Sequence, residues 1–115
     1  MRPHQYFVYI LTNTARAPLY TGVTNNLLRR VDQHASADNT DTYSSLYRTH
    51  RLVHAERYEL VTNAIAREKQ LKGWSRAKKI ALVESINPRW DDMRHNGELK
   101  LGQFWVPGMA YRQKS

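Results

Sequence analysis

Six consecutive residues, Tyr6-Phe7-Val8-Tyr9-Ile10-Leu11, all carry aromatic or branched aliphatic side chains. A run of this make reads as a strand buried on both faces, so the rest of the chain has to cover each side of it. The turn-rich stretch Thr12 to Pro18 follows, and Leu19 to Val23 then reads as a second strand, short enough to return as a hairpin. Gly22 inside it marks a bulge or a close approach by another backbone or a ligand. Thr24 or Asn25 caps a helix to about Gln33 that buries Leu27, Leu28 and Val31. Residues 35–50 are polar and aperiodic, a long loop or irregular helix of the kind that is often functional or mobile. Leu52 to Tyr58 gives a third strand. Asn63 to Lys72 gives a second helix, which Gly73 ends in a left-handed cap. Ser75 caps a third helix to about Ser85, stopped by Asn87-Pro88. The order β-β-α-loop-β-α-α is an α/β (α+β) fold, a small three-stranded antiparallel sheet flanked by helices. Beyond Met93, Gly97, Gly102, Pro107 and Gly108 break every periodicity. Residues 1–93 therefore form the domain, and 94–115 a tail that Leu99, Leu101, Phe104 and Trp105 allow to pack on it.

At 115 residues this is one domain with one core. The absence of cysteine excludes disulfide scaffolds, zinc fingers and thiol nucleophiles. The apolar run at residues 6–11 is too short for a membrane span or a signal-peptide core, which leads to the expectation of a soluble, cytoplasmic protein with no membrane partner. Lysine and arginine total 18 against 10 acids, a net charge of +8. That excess points to a polyanion, most simply nucleic acid, although many small proteins are basic for solubility alone.

Four groups of residues fit a bland fold poorly. Glu68 lies three residues after Ile65 and three before Leu71, inside the apolar stripe of Val61, Ala64, Ile65 and Leu71. A carboxylate there needs a cation, a donor or a wet cleft beside it; the competing reading is a boundary glutamate that reaches out to solvent or pairs with an arginine. Arg30 and His34 share one face of the first helix at i, i+4, beside Leu27 and Val31. Arginine clamps phosphate oxygens in a fork and histidine moves protons near neutral pH; a solvated polar face is equally open. Tyr9 and Tyr20 become neighbours if the hairpin pairs around its loop. Strand tyrosines usually pack, and a phenol, with its ordinary pKa near 10, needs a cation nearby to act as a base. Last, Arg67, Lys69, Lys72, Arg76, Lys78 and Lys79 surround the single acid Glu68, with Trp74 read as core. Such a stripe can track a phosphate backbone or simply face water. Together these are the parts of phosphodiester hydrolysis. One carboxylate suits a magnesium ion that keeps most of its waters, while a two-metal site is poorly supplied, since Asp91-Asp92 is the only adjacent acid pair.

The motifs themselves carry a resemblance. Phe7-Val8-Tyr9, then Tyr20-Thr21-Gly22 running on to Arg30 and His34, then Ala64 to Trp74 around Glu68, and finally Ile86-Asn87-Pro88-Arg89-Trp90 stand in order and at the right separations. Over about residues 5–93 the chain resembles the GIY-YIG nuclease superfamily, and within it the small stand-alone bacterial members. The resemblance implies an endonuclease that hydrolyses phosphodiester bonds in DNA with Mg2+ or Mn2+. In that family's terms Glu68 holds the metal and Arg30 stabilises the developing charge. Tyr9 and Tyr20 position or deprotonate the attacking water, and His34 assists proton transfer or contacts the phosphate. Asn87 corresponds to a polar residue near the site. The first two letters of the first motif are Phe7 and Val8 here, and Thr21 replaces an isoleucine. In the loop, Tyr43-Ser44-Ser45-Leu46-Tyr47 stands where similar proteins carry two basic residues, removing candidate phosphate contacts. One site per domain implies a monomer or weak homodimer, with a second encounter or a partner needed to cut both strands. The alternatives are a weakly catalytic or non-catalytic module that binds structured DNA or RNA, and a ribosome- or RNA-associated protein.

Overall fold

The structure, a computed structural model, describes residues 5–13, 18–35, 51–95 and 98–99, with residues 34, 35 and 95 described by backbone alone. The elements are β1 (Tyr6–Thr12), β2 (Tyr20–Thr24), α1 (Leu27–Ala35), β3 (Arg51–Tyr58), α2 (Val61–Lys72), α3 (Arg76–Ile86) and a short hairpin of β4 (Arg94–His95) and β5 (Glu98–Leu99). The main sheet has the order β2-β1-β3 and is antiparallel throughout.

The doubly apolar strand is the central one. Phe7, Tyr9 and Leu11 pack on one side with Leu52 and Ala55 of β3, Leu27 and Val31 of α1, and Met93. Val8 and Ile10 face the other side, against Ala64 and Leu71 of α2, Leu82 and Val83 of α3, Val53 and Trp90. The molecule is thus three layers: α1, the sheet, and the α2–α3 pair. Val8, Ile10 and Leu11 are fully buried, and each such side chain contributes about 1.5–3 kcal/mol. The β1–β3 register slips between Ile10 and Leu11, where Val53 is the extra residue. This bulge puts Leu52 with Leu11 on the α1 side and Val53 with Ile10 on the other.

Several boundaries differ from the sequence expectation. The N-cap of α1 is Asn26, not Thr24 or Asn25: its Oδ1 accepts from the Arg29 N–H at 3.2 Å, while Thr24 Oγ1 accepts from the Asn26 N–H at 3.1 Å. α2 begins at Val61, after a Leu60 that makes no side-chain cap bond, and Val61 and Ile65 are exposed rather than part of the inward stripe. Gly73 is not left-handed: its φ of −83° continues the helical turn, because Ser75 starts the next helix two residues on. Ser75 caps α3 as expected, accepting from the Lys78 N–H at 3.2 Å.

After α3 the chain is locked alongside β3. The buried Asn87 side chain donates from Nδ2 to the carbonyls of Val53 (3.1 Å) and Asp91 (2.8 Å), and its Oδ1 accepts from the Asp91 N–H at 3.0 Å. Asp92 Oδ1 accepts from the Leu52 N–H at 3.1 Å. Trp90, between them, has a left-handed φ of 59°, a conformation that is costly for a bulky residue. Its ring is buried and its Nε1 donates to Glu84 Oε2 at 2.8 Å. Past Met93, Arg94 Nη1 reaches Asp32 Oδ1 of α1 at 2.9 Å, and Leu99 packs against the α1-side core. Tyr43-Ser44-Ser45-Leu46-Tyr47 and the tail positions Leu101, Phe104 and Trp105 lie outside the described residues.

Candidate active site

Tyr9 and Tyr20 come together because β1 and β2 pair antiparallel, with Tyr9 opposite Gly22. Their ring centroids are 6.4 Å apart and the planes are tilted by 36°. A Cβ at position 22 would clash with the Oη and Cζ atoms of Tyr9. Gly22 is therefore a point of close approach, but the approaching group is the Tyr9 side chain rather than another backbone or a ligand, and the β1–β2 register carries no bulge. Tyr9 is wholly buried and Tyr20 half-buried against the same core, so of the two phenols Tyr20 is the one within reach of solvent. α1 docks on this side through Leu27 and Val31, and Arg30 on the same helix is half-buried. His34 is one turn further along the same helix; its side chain lies outside the description.

Glu68 is carried by α2, which packs on the opposite face of the sheet and against β1, β2 and β3. It shares a side of the helix with buried Ala64 and Leu71, as the sequence spacing predicts, and its side chain is 15% exposed. The cation beside it is Lys72, whose Nζ is 2.8 Å from Glu68 Oε2 and whose own side chain is 57% exposed.

The basic stripe divides. Lys69, Lys72, Arg76 and Lys78 are exposed and Lys79 is half-buried. Lys78 Nζ sits 4.7 Å from the Trp74 ring centroid. Arg67 does not belong with them. Only 13% of its side chain is exposed, and it forks onto Glu56 through Nε (2.9 Å) and Nη2 (3.1 Å). Asn87 is also removed from any nucleic-acid surface, since the backbone bonds described above occupy both ends of its buried amide. Trp74 is half-buried against the α2–α3 core, as expected.

Glu56 itself was not legible as special. It is fully buried, and its carboxylate accepts from Arg67, from Tyr58 Oη at 2.8 Å and from His54 Nε2 at 2.8 Å. The alternation His54-x-Glu56-x-Tyr58 was the available signal, three polar side chains on one face of a strand whose neighbours are apolar. Burial pushes the Glu56 carboxyl up, but the hydrogen bonds and charges of His54 and Arg67 outweigh it and hold the pKa below the ordinary 4.5.

Among the described residues no group of three or more His, Cys, Asp or Glu side chains could together hold a metal ion. A single, partly exposed carboxylate already paired with a cation fits a magnesium-type ion, which completes its shell with water and phosphate oxygens.

The model of the GIY-YIG catalytic domain matches residues 5–81 of this chain. The chain belongs to the GIY-YIG family. Its relatives include UPF0213 proteins. One from Natronomonas pharaonis is 40% identical over 68% of this chain and 89% of its own length. Another from Syntrophus aciditrophicus is 37% identical over 71% of this chain and 92% of its own. The solution NMR structure of a UPF0213 protein from Bacillus halodurans is similar at 28% identity and a TM-score of 0.48, covering 76% of this chain and 92% of that one. GIY-YIG is a family of nucleases, generally dependent on divalent metals and acting on nucleic acid. The three-stranded antiparallel sheet with its helices stands as expected, and no helix among the described residues is long and apolar enough to cross a membrane.

Proposed function

We propose that this GIY-YIG chain is an endonuclease that hydrolyses phosphodiester bonds in DNA with the help of Mg2+ or Mn2+. The observation that carries the reading is Glu68: a carboxylate drawn inward between Ala64 and Leu71, yet open enough for its partner Lys72 to stand largely in water. A cation there would be held by Glu68 and would supply positive charge to the reacting phosphate. The remaining work falls to groups on the other face of the sheet, which a phosphate lying across the β2 edge would meet, since α2 packs against β2 as well as β1 and β3. Arg30 takes the phosphate in its fork and offsets the charge that builds on the equatorial oxygens. Tyr20, the phenol that reaches solvent, orients the attacking water and, having given up its own proton to solvent, takes the water's proton as the phenolate, while buried Tyr9 fixes the Tyr20 ring from behind. His34 returns a proton to the leaving oxygen. The new bond joins the water oxygen to phosphorus, and the bond to the leaving oxygen breaks in line.

Lys69, Lys72, Arg76, Lys78 and Lys79 follow the phosphate backbone, a role supported by the exposure of the first four on neighbouring helices. Residues 1–93 form the catalytic unit, and the packing of Leu99 supports a 94–115 tail lying on it. The chain works in the cytoplasm as a monomer or weak homodimer, nicking one strand per encounter. Labelled single-stranded, duplex and branched DNA and RNA, each with and without Mg2+ or Mn2+, test this. Metal-dependent nicking of DNA is expected, and Glu68→Ala or Arg30→Ala should lower it at least about a hundredfold without unfolding the chain. Cleavage that persists in both variants overturns the site. Salt-dependent binding that ignores EDTA, with no cleavage of any substrate, makes the chain a binding module instead.

A further inference from the structure

The proposed chemistry leaves the seam between β3 and α2 unused, although this seam holds the most heavily bonded carboxylate of the described chain. His54, Glu56 and Tyr58 stand opposite Ile10, Val8 and Tyr6 of β1, on the face that α2 covers. Each oxygen of Glu56 accepts two bonds: Oε1 from Tyr58 Oη and Arg67 Nε, Oε2 from Arg67 Nη2 and His54 Nε2. Arg67 is held in turn from its own helix, where Nη1 donates to Gln70 Oε1 at 2.7 Å, and from Trp74, whose ring centroid lies 5.0 Å from the guanidinium.

α2 needs such an anchor. Its buried apolar contacts are Ala64 and Leu71 alone, its first turn exposes Val61 and Ile65, and Leu60 supplies no side-chain cap. A helix seated on one small and one large side chain turns easily about its axis, and successive residues lie about 100° apart around that axis. A modest rotation therefore moves Glu68 from the inward rim toward open solvent. The residue that pins the rotation is Arg67, the immediate neighbour of Glu68 in the chain. A bidentate guanidinium–carboxylate pair fixes orientation as well as distance, and its acceptor is built into the sheet.

We propose that Glu56 is a positioning residue: through the Arg67 fork it sets the rotation of α2 and so the place of the Glu68 carboxylate. This rests on the reading of Glu68 as the cation-holding group. The test uses the full chain with two variants. Glu56→Gln keeps the shape and removes the charge. The Glu56→Leu/Arg67→Met double variant fills the seam with apolar groups of similar size, a replacement that commonly preserves stability. Both are compared with wild type and with Glu68→Gln by Mn2+ titration calorimetry, amide hydrogen exchange across residues 61–72, and kcat and KM on a labelled DNA.

In folded seam variants Mn2+ affinity should fall about 10–100-fold, the usual effect of losing a group that orients a ligand. Exchange in α2 should quicken while α1 is unchanged, and kcat should fall with KM for DNA unaltered. A seam with a purely structural role would leave Mn2+ affinity and kcat alone once the chain is folded. Seam variants that bind Mn2+ and turn over within twofold of wild type, beside an inactive Glu68→Gln, overturn this proposal and spare the nuclease reading. A wild-type chain whose Mn2+ binding and cleavage are indifferent to Glu68→Gln removes the reading beneath, and this proposal with it.

Discussion

The seam between β3 and α2 and the rim of α2 just beside it each hold an inward-drawn carboxylate, and they treat it in opposite ways. In the seam, Glu56 is completely buried and His54, Tyr58 and Arg67 saturate its oxygens. On the rim, Glu68 has a single lysine for a partner among the described residues, and that lysine is mostly in water. Desolvation explains the contrast. A buried charge survives only when nearly every lone pair finds a donor, and a group so bound has nothing left to offer a substrate. A half-buried carboxylate keeps capacity for an incoming cation, at the expense of a weaker hold on its own position. The two regions are complementary: one supplies rigidity, the other leaves room for chemistry.

The largest effect that would sharpen this contrast is truncation in the seam. Glu56→Ala leaves His54 and Arg67 facing a hole, and removing one partner of a buried pair costs about 3–5 kcal/mol. Urea titration should show this as a lower midpoint, and a cost below about 1 kcal/mol would break the comparison. Acid should act on the seam in a defined direction. Because the folded Glu56 carboxyl ionises below its ordinary 4.5, its charge stabilises the fold fully above that value. The contribution is lost as pH falls through the lower, folded pKa. The stability gap between wild type and Glu56→Gln should thus be flat above about pH 5.5 and narrow at more acid pH; a gap that widens on acidification would contradict the assignment. The smallest effect belongs to the rim. Lys72→Met removes an i, i+4 pair whose lysine is mostly solvent-exposed, so the unfolding free energy should change by less than about 0.5 kcal/mol.

The legibility of the two regions also differs. Glu68 stood out in the sequence because a single acid interrupts a periodic apolar stripe. The tyrosine pair followed from hairpin geometry, and Gly22 from its place in a strand. Glu56 gave no such signal, because strand β3 is polar at alternate positions and nothing local distinguishes a polar face turned to water from one turned to a helix. That distinction depends on where α2 lands, a tertiary fact. For the same reason Arg67 read as one more cation in a basic stripe, although its side chain turns inward while Lys69 and Lys72 turn out. The apolar stripe of α2 was overestimated: Val61 and Ile65 have the right period, but the helix enters from Leu60 before it meets the sheet. Asn87 could be read as the end of α3, but the backbone groups that its amide would bond were not local to it.

The Arg67–Glu56 fork also limits how this sequence can drift. Losing either member alone strands a buried charge, and the penalty of about 3–5 kcal/mol is a large part of the roughly 5–15 kcal/mol that holds a small domain together. Stepwise replacement passes through a chain close to unfolding, so positions 56 and 67 are free to vary only as a couple. Lys72, one turn beyond the fork, carries no such tie and can be exchanged one substitution at a time.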